Sequence, residues 1–167
     1  FDAGLRAWDR ATDGLTEIDL SPAKALTLNN IYVRPIAPGD LLAGARGAEW
    51  DRIALGRDER SSRKGEASWP VASDATIFGF ALWWTADLVP GVVLSTAPDA
   101  PPTHWEQLYL PLAEPIAARA GERIGLTVKS RTTREAGTTI AWSAERRSAS
   151  GETLSKQNMD LEKGYLP

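Results

Sequence analysis

Apolar residues in this 167-residue chain alternate with a period of two, in short runs broken by Gly, Pro, Asn and Asp. That pattern limits the chain to pleated strands joined by tight connections, because alternate strand residues point to opposite faces of a sheet. The longest such run is 76–85, where Phe78, Phe80, Leu82 and Trp84 alternate with Ile77, Gly79, Ala81 and Trp83. Both faces look covered, so a central strand is predicted, with Gly79 admitting a bend or a close backbone approach. Further strands are predicted in the run carrying Trp50, Ile53 and Leu55, in the run carrying Ala67, Trp69 and Val71, and over 92–95, 123–129 and 138–145. Another leads up to Leu112, and a weak edge strand is predicted near 153–159. The charged stretch 56–65 reads as a solvated connection and 113–121 as a loop with a short Ala-rich turn. The fold class is mainly β, an antiparallel β-barrel or sandwich with short amino-terminal helices. No βαβ alternation is present, so no parallel nucleotide-binding sheet fits within the chain.

The helical signals sit at the start. Phe1, Leu5 and Trp8 recur at three- to four-residue spacing, Asp2 can cap and Asp13-Gly14 can stop a short amphipathic helix. Ser21-Pro22 is a helix entry leading to about Asn29, after which Ile31-Tyr32-Val33 suits a brief strand. Phe1 stands where a translated chain would carry Met, so the sequence is expected to be a segment of a longer protein.

A chain of this length buries roughly two thirds of its unfolded surface and needs a real core. Its 43% hydrophobic content supplies one. The net charge of -3 argues against binding a phosphate backbone, and no apolar run approaches the ~18 residues of a membrane span. With no Cys and one His, thiolate chemistry and a zinc site are disfavoured, and a reducing, cytoplasmic setting fits. Phosphate-loop, dinucleotide, serine-hydrolase and zinc-protease signatures are all absent.

The one stretch with chemical character is 93–112. It holds the chain's only histidine, His104, between Thr103, which can hydrogen-bond, and Trp105, which offers a flat apolar face. Pro98, Pro101 and Pro102 stiffen the approach by fixing their own φ and extending their neighbours. Ser95-Thr96-Ala97-Pro98 followed by Pro101-Pro102-Thr103-His104-Trp105-Glu106-Gln107 resembles the Thr-His-Trp loop of the protein arginine methyltransferases, in the carboxy-terminal β-barrel of that family. Ala120-Gly121-Glu122-Arg123-Ile124 resembles that family's Gly-Glu turn. Ile18-Asp19-Leu20-Ser21-Pro22 resembles the segment joining its dimerisation arm to the barrel.

The resemblance implies a helical dimerisation-arm-like segment over 1–30, with Leu5 and Trp8 at a homodimer interface, and a barrel domain over 31–167. It also implies a cofactor-binding domain before residue 1, holding the S-adenosylmethionine that this chain has no means to hold. By that resemblance the substrate is a protein arginine, His104 positions a group or relays a proton, and Trp105 and Thr103 line the substrate side. Glu106 departs from the basic residue many family members carry there, which bears on target choice. A reading from another class treats the chain as an aromatic-rich β-sandwich binding glycans or Pro-rich peptides without catalysis, using Trp50, Trp69, Trp83, Trp105 and Trp142. A third reading is a domain that serves only to dimerise its parent.

Overall fold

The computed structural model describes residues 21–164. Helix α1 (Ser21–Leu28) leads to strand β1 (Tyr32–Arg34) and a single 3-10 turn at Pro38–Asp40. Strands β2 (Ser62–Pro70), β3 (Ala75–Leu82), β4 (Thr85–Val89), β5 (Val92–Ser95), β6 (Gln107–Ala118), β7 (Arg123–Thr133), β8 (Gly137–Arg147) and β9 (Thr153–Asp160) follow, and α2 (Leu161–Gly164) closes the described chain. The predicted helix over 2–11, with Leu5 and Trp8, and the extended residues 18–20 lie outside the described residues.

All pairings among the described residues are antiparallel, in three sheets ordered β1-β6-β3, β2-β7-β8-β9 and β4-β5. No pairing joins these sheets into a closed cylinder, so of the two predicted architectures the sandwich is the one observed. Its core forms where inward residues of β6 (Leu110, Leu112, Ile116, Ala118) meet those of β7 (Ile124, Leu126, Val128) and β8 (Trp142, Ala144), with Phe80, Val71 and Met159 filling in. The alternation read from the sequence for β7 is the alternation seen: Ile124, Leu126 and Val128 are buried while Arg123 and Lys129 are exposed.

Strand β6, and not β3, is central to its sheet, and it runs on through the residues read as a loop from Ala113. Two prolines lie inside it, and proline withholds a ladder donor. The pairing with β3 absorbs this by a register shift: Gly79 faces Pro111 but Ile77 faces Ile116, so 112–115 on β6 oppose Phe78 alone. The displaced backbone finds partners on the other sheet. The Gln157 side chain accepts from Glu114 N at 3.0 Å and donates to Glu114 O at 2.6 Å, and beyond the shift, where Ala117 again pairs with Thr76, Arg146 donates to Ala117 O at 2.6 Å. Gly79 is required at the shift, since a Cβ there would lie 2.4 Å from the Leu110 carbonyl oxygen.

The run with Trp50, Ile53 and Leu55 forms no strand; Ile53 and Leu55 are exposed, and only Trp50 reaches the core. Two local features override its apolar pattern. The Trp50 carbonyl crosses directly over Gly65, where any side chain would collide with it. Arg63, only 11% exposed, binds both Asp51 (3.0 Å) and Asp58 (3.1 Å), drawing 51–58 across β2. Hydrogen bonds from the Arg60 guanidinium, then from Arg63, hold the Asp58 carboxyl well below the usual carboxylate range. The stretch 56–65 is largely solvated, as read, but it is anchored at Asp58 and Arg63, and its last residues, from Ser62, begin β2. The end of α1 is fixed to the far end of the chain through Asn29, which donates to Asp160 O at 2.7 Å and accepts from Asp160 N at 2.8 Å.

One buried bond links the two main sheets: the Trp142 indole N–H donates to Pro111 O at 3.0 Å. Replacing Trp142 by Phe keeps an aromatic ring but leaves that carbonyl unpaired, which costs roughly 1–3 kcal/mol. Trp142→Phe should lower the midpoint of urea unfolding accordingly; an unchanged midpoint would show that the bond contributes nothing net.

Candidate functional site

The connection between β5 and β6 is held at both ends by backbone bonds. Buried Thr96 pairs with Trp84: Thr96 N donates to Trp84 O at 3.0 Å, and the Thr96 hydroxyl accepts from Trp84 N at 3.2 Å and donates to Trp84 O at 3.3 Å. At the other end Gln107, the first residue of β6, donates through its side chain to Thr96 O at 2.7 Å and accepts from Ile36 N at 2.8 Å. One amide side chain thus ties the loop to its own start and to the segment after β1.

Within the loop the Thr103 hydroxyl accepts from Trp105 N at 3.2 Å and donates to Trp105 O at 3.0 Å. Such a local side-chain turn substitutes for ladder bonds that a loop lacks. His104 and Trp105 are both exposed, with ring centroids 3.9 Å apart and planes at 37°. Trp84 meets Trp105 edge-to-face at 5.5 Å and 69°, a favourable geometry for aromatic pairs. The result is a row of three rings, Trp84, Trp105 and His104, on the surface beside the 85–95 hairpin. Trp84 was not legible as a site residue, because its place in the 76–85 alternation assigned it to a sheet face. The strand in fact stops at Leu82, and the chain turns outward before β4.

The other tryptophans divide differently from the binding-module reading. Trp142 is in the core, and Trp50 and Trp69 pack against it, with Trp69 lying 5.9 Å from Phe80 and donating to Arg46 O at 2.7 Å. Trp83 covers Gly47, where a Cβ would come within 2.6 Å of the ring. Of the five aromatic faces proposed for sugar or peptide binding, Trp105 alone is exposed. A groove of about 380 Å³ lies elsewhere, along the four-stranded sheet between Lys64, Lys129, Arg131 and Asp160, and none of the loop residues lines it. Among the described residues no cluster of His, Asp and Glu could hold a metal ion, and no helix is long and apolar enough to cross a membrane.

Comparison with known proteins gives this loop its context. A family model described as the arginine methyltransferase oligomerization subdomain matches residues 1–147. The chain belongs to that family.

The matched span includes the Thr-His-Trp loop and the turn at Gly121-Glu122. The Arginine N(omega)-methyltransferase of Streptomyces achromogenes subsp. streptozoticus is 37% identical over 56 residues, 34% of this chain and 16% of that protein. Protein arginine N-methyltransferase 2 of Homo sapiens is 25% identical over 127 residues, 69% of this chain and 28% of that protein. The Trypanosoma brucei PRMT1 enzyme-prozyme heterotetrameric complex with AdoHcy shares the fold, with a TM-score of 0.72 at 22% identity over 86% of this chain and 47% of the other. So does Arabidopsis thaliana protein arginine methyltransferase 10, with a TM-score of 0.62 at 16% identity over 96% of this chain and 53% of the other. The oligomerization subdomain described here thus spans about half the length of these structural relatives and less than a third of the curated ones.

Proposed function

We propose that this chain is the substrate-side and assembly half of an S-adenosylmethionine-dependent arginine methyltransferase. In this reading a cofactor-binding domain precedes residue 1, an arm over 1–30 engages a second copy through Leu5 and Trp8, and 31–167 form the family's barrel-type domain. The observation that carries the reading is the exposed His104–Trp105 pair on a tied-down loop, inside a span that matches the family. The described residues are antiparallel sheets with short helices, and in this reading the cofactor would be held by the other half. The names of the relatives point to the guanidinium of arginine, free or within a protein, as the group modified.

A cofactor held by the other half would supply a methyl on a sulfonium, transferred to a guanidinium nitrogen with release of the thioether and loss of one proton from that nitrogen. Arginine stays protonated in water and is a poor nucleophile, so the site must hold one nitrogen in line and give its proton a route away. Trp105 would wall the arginine channel, attracting the cation over its ring face, and Thr103 would complete that wall while holding the turn. His104 would orient a carboxylate of the other half or relay the departing proton. Asp99 earlier in the loop and Glu106 next to Trp105 give the connection a negative charge that would favour a cationic substrate.

His104→Ala in the complete protein should cut kcat by at least tenfold while changing arginine-peptide affinity less than threefold. An unchanged kcat would remove His104 from the mechanism. Sedimentation of the complete protein should give a dimer, and Leu5→Ser with Trp8→Ser should give a monomer; a dimer that persists would place the interface elsewhere.

A further inference from the structure

The 85–95 hairpin is unlike the rest of the surface. Leu88, Val89, Val92 and Val93 are each about half exposed or more, at 58%, 58%, 49% and 60%, close together on one ribbon. Its turn is Pro90-Gly91, with Gly91 at φ +83°, so the two strands are joined as tightly as a ribbon allows. Among the described residues β4 pairs only with β5 and β5 only with β4, leaving a free backbone edge on each side. A two-stranded ribbon gains little stability alone, and clustered exposed apolar residues mark a contact surface.

What it contacts is indicated by where it is anchored and by its charge. The residue just before β4 is Trp84, edge-on to Trp105, and the residue just after β5 is Thr96, bonded to Trp84 through backbone and side chain. The hairpin therefore springs from the three-ring row itself. From Thr85 to Glu106 the chain has no Lys or Arg; of its charged residues, Asp87 already has the Arg52 guanidinium in its field, which leaves Asp99 and Glu106 as the negative charges of the loop. An occupant with apolar side chains and a positive charge suits both features.

We propose that this hairpin is a docking rail for an extended polypeptide whose target arginine is flanked by apolar side chains. The proposal rests on the reading that His104 and Trp105 border the arginine channel. With the arginine beside the rings, the residues next to it in sequence fall along the hairpin, which a strand covers at about 3.3 Å per residue. The free edge of β5 can pair with the peptide backbone while Val92 and Val93, on opposite faces of that strand, meet successive side chains, and Leu88, at the bulge across the ribbon, widens the apolar surface. Free arginine has nothing to place there.

The test compares methyl transfer by the complete protein to three acceptors: free arginine, an arginine peptide flanked by Gly, and one flanked by Leu and Val. Wild-type protein should favour the Leu/Val peptide over the Gly peptide by at least tenfold in kcat/KM. Leu88→Ser with Val93→Ser should raise KM for the Leu/Val peptide about tenfold, leaving kcat and the Gly peptide unchanged. Val92→Thr, which keeps the β-branched shape, should shift KM in the same direction by a smaller factor. Equal use of the two peptides, preference for free arginine, or hairpin variants that alter both peptides alike would overturn the rail while leaving the methyltransferase reading in place. No transfer to any acceptor would overturn both.

Discussion

The bond from the Trp142 indole to the Pro111 carbonyl is the constraint on which the remaining geometry depends. A strand with prolines at 111 and 115 cannot pair evenly along its length, and at Pro111, which is fully buried, an unpaired carbonyl would be costly. Trp142 supplies a donor from the opposite sheet, and its ring is itself among the largest fully buried side chains. Gln157 and Arg146 do the same for Glu114 and Ala117. The irregular strand is thereby pinned to the opposite sheet as well as along its own, through the core at Pro111 and at exposed positions beyond it. Its first residue, Gln107, is consequently placed where its amide can clasp the Thr96 carbonyl and the Ile36 amide.

That placement connects core to surface. The Thr-His-Trp loop ends on Gln107 and begins at Thr96, so both ends of the connection are fixed by groups whose positions the sandwich determines. Between them, prolines limit backbone freedom, and Thr103 closes a local turn on Trp105. An aromatic surface held this way loses little entropy when a partner covers it. The three rings thus form a prepared face on the surface, which in the proposed reading would be one wall of the arginine cleft.

Strands whose two faces meet different environments were legible in the sequence, and β7 with its Ile124, Leu126 and Val128 is the clearest. The carboxy-terminal half of β6 was not, because Ala and Pro are poor strand formers and what holds 113–118 extended comes from elsewhere in the chain: β3 beside 116–118, Gln157 at Glu114 and Arg146 at Ala117. The run at Trp50, Ile53 and Leu55 misled for the opposite reason: its composition suits a strand, but the Arg63 ion pairs and the bare backbone at Gly65 fix another path. Thr103, His104 and Trp105 stood out through the resemblance that their neighbours carry. Trp84 did not, since its role arises from a break in a strand that alternation alone would have continued.

The central claim is that the His104–Trp105 face is covered by an arginine-bearing acceptor in the working protein. Hydrogen–deuterium exchange on the complete protein, with S-adenosylhomocysteine present and an arginine peptide added, tests it most directly. The account predicts slowed exchange over 103–107, with the amides of 123–133 on the opposite sheet unchanged. Exchange over 103–107 that is indifferent to the peptide, at a concentration that saturates binding, would contradict it.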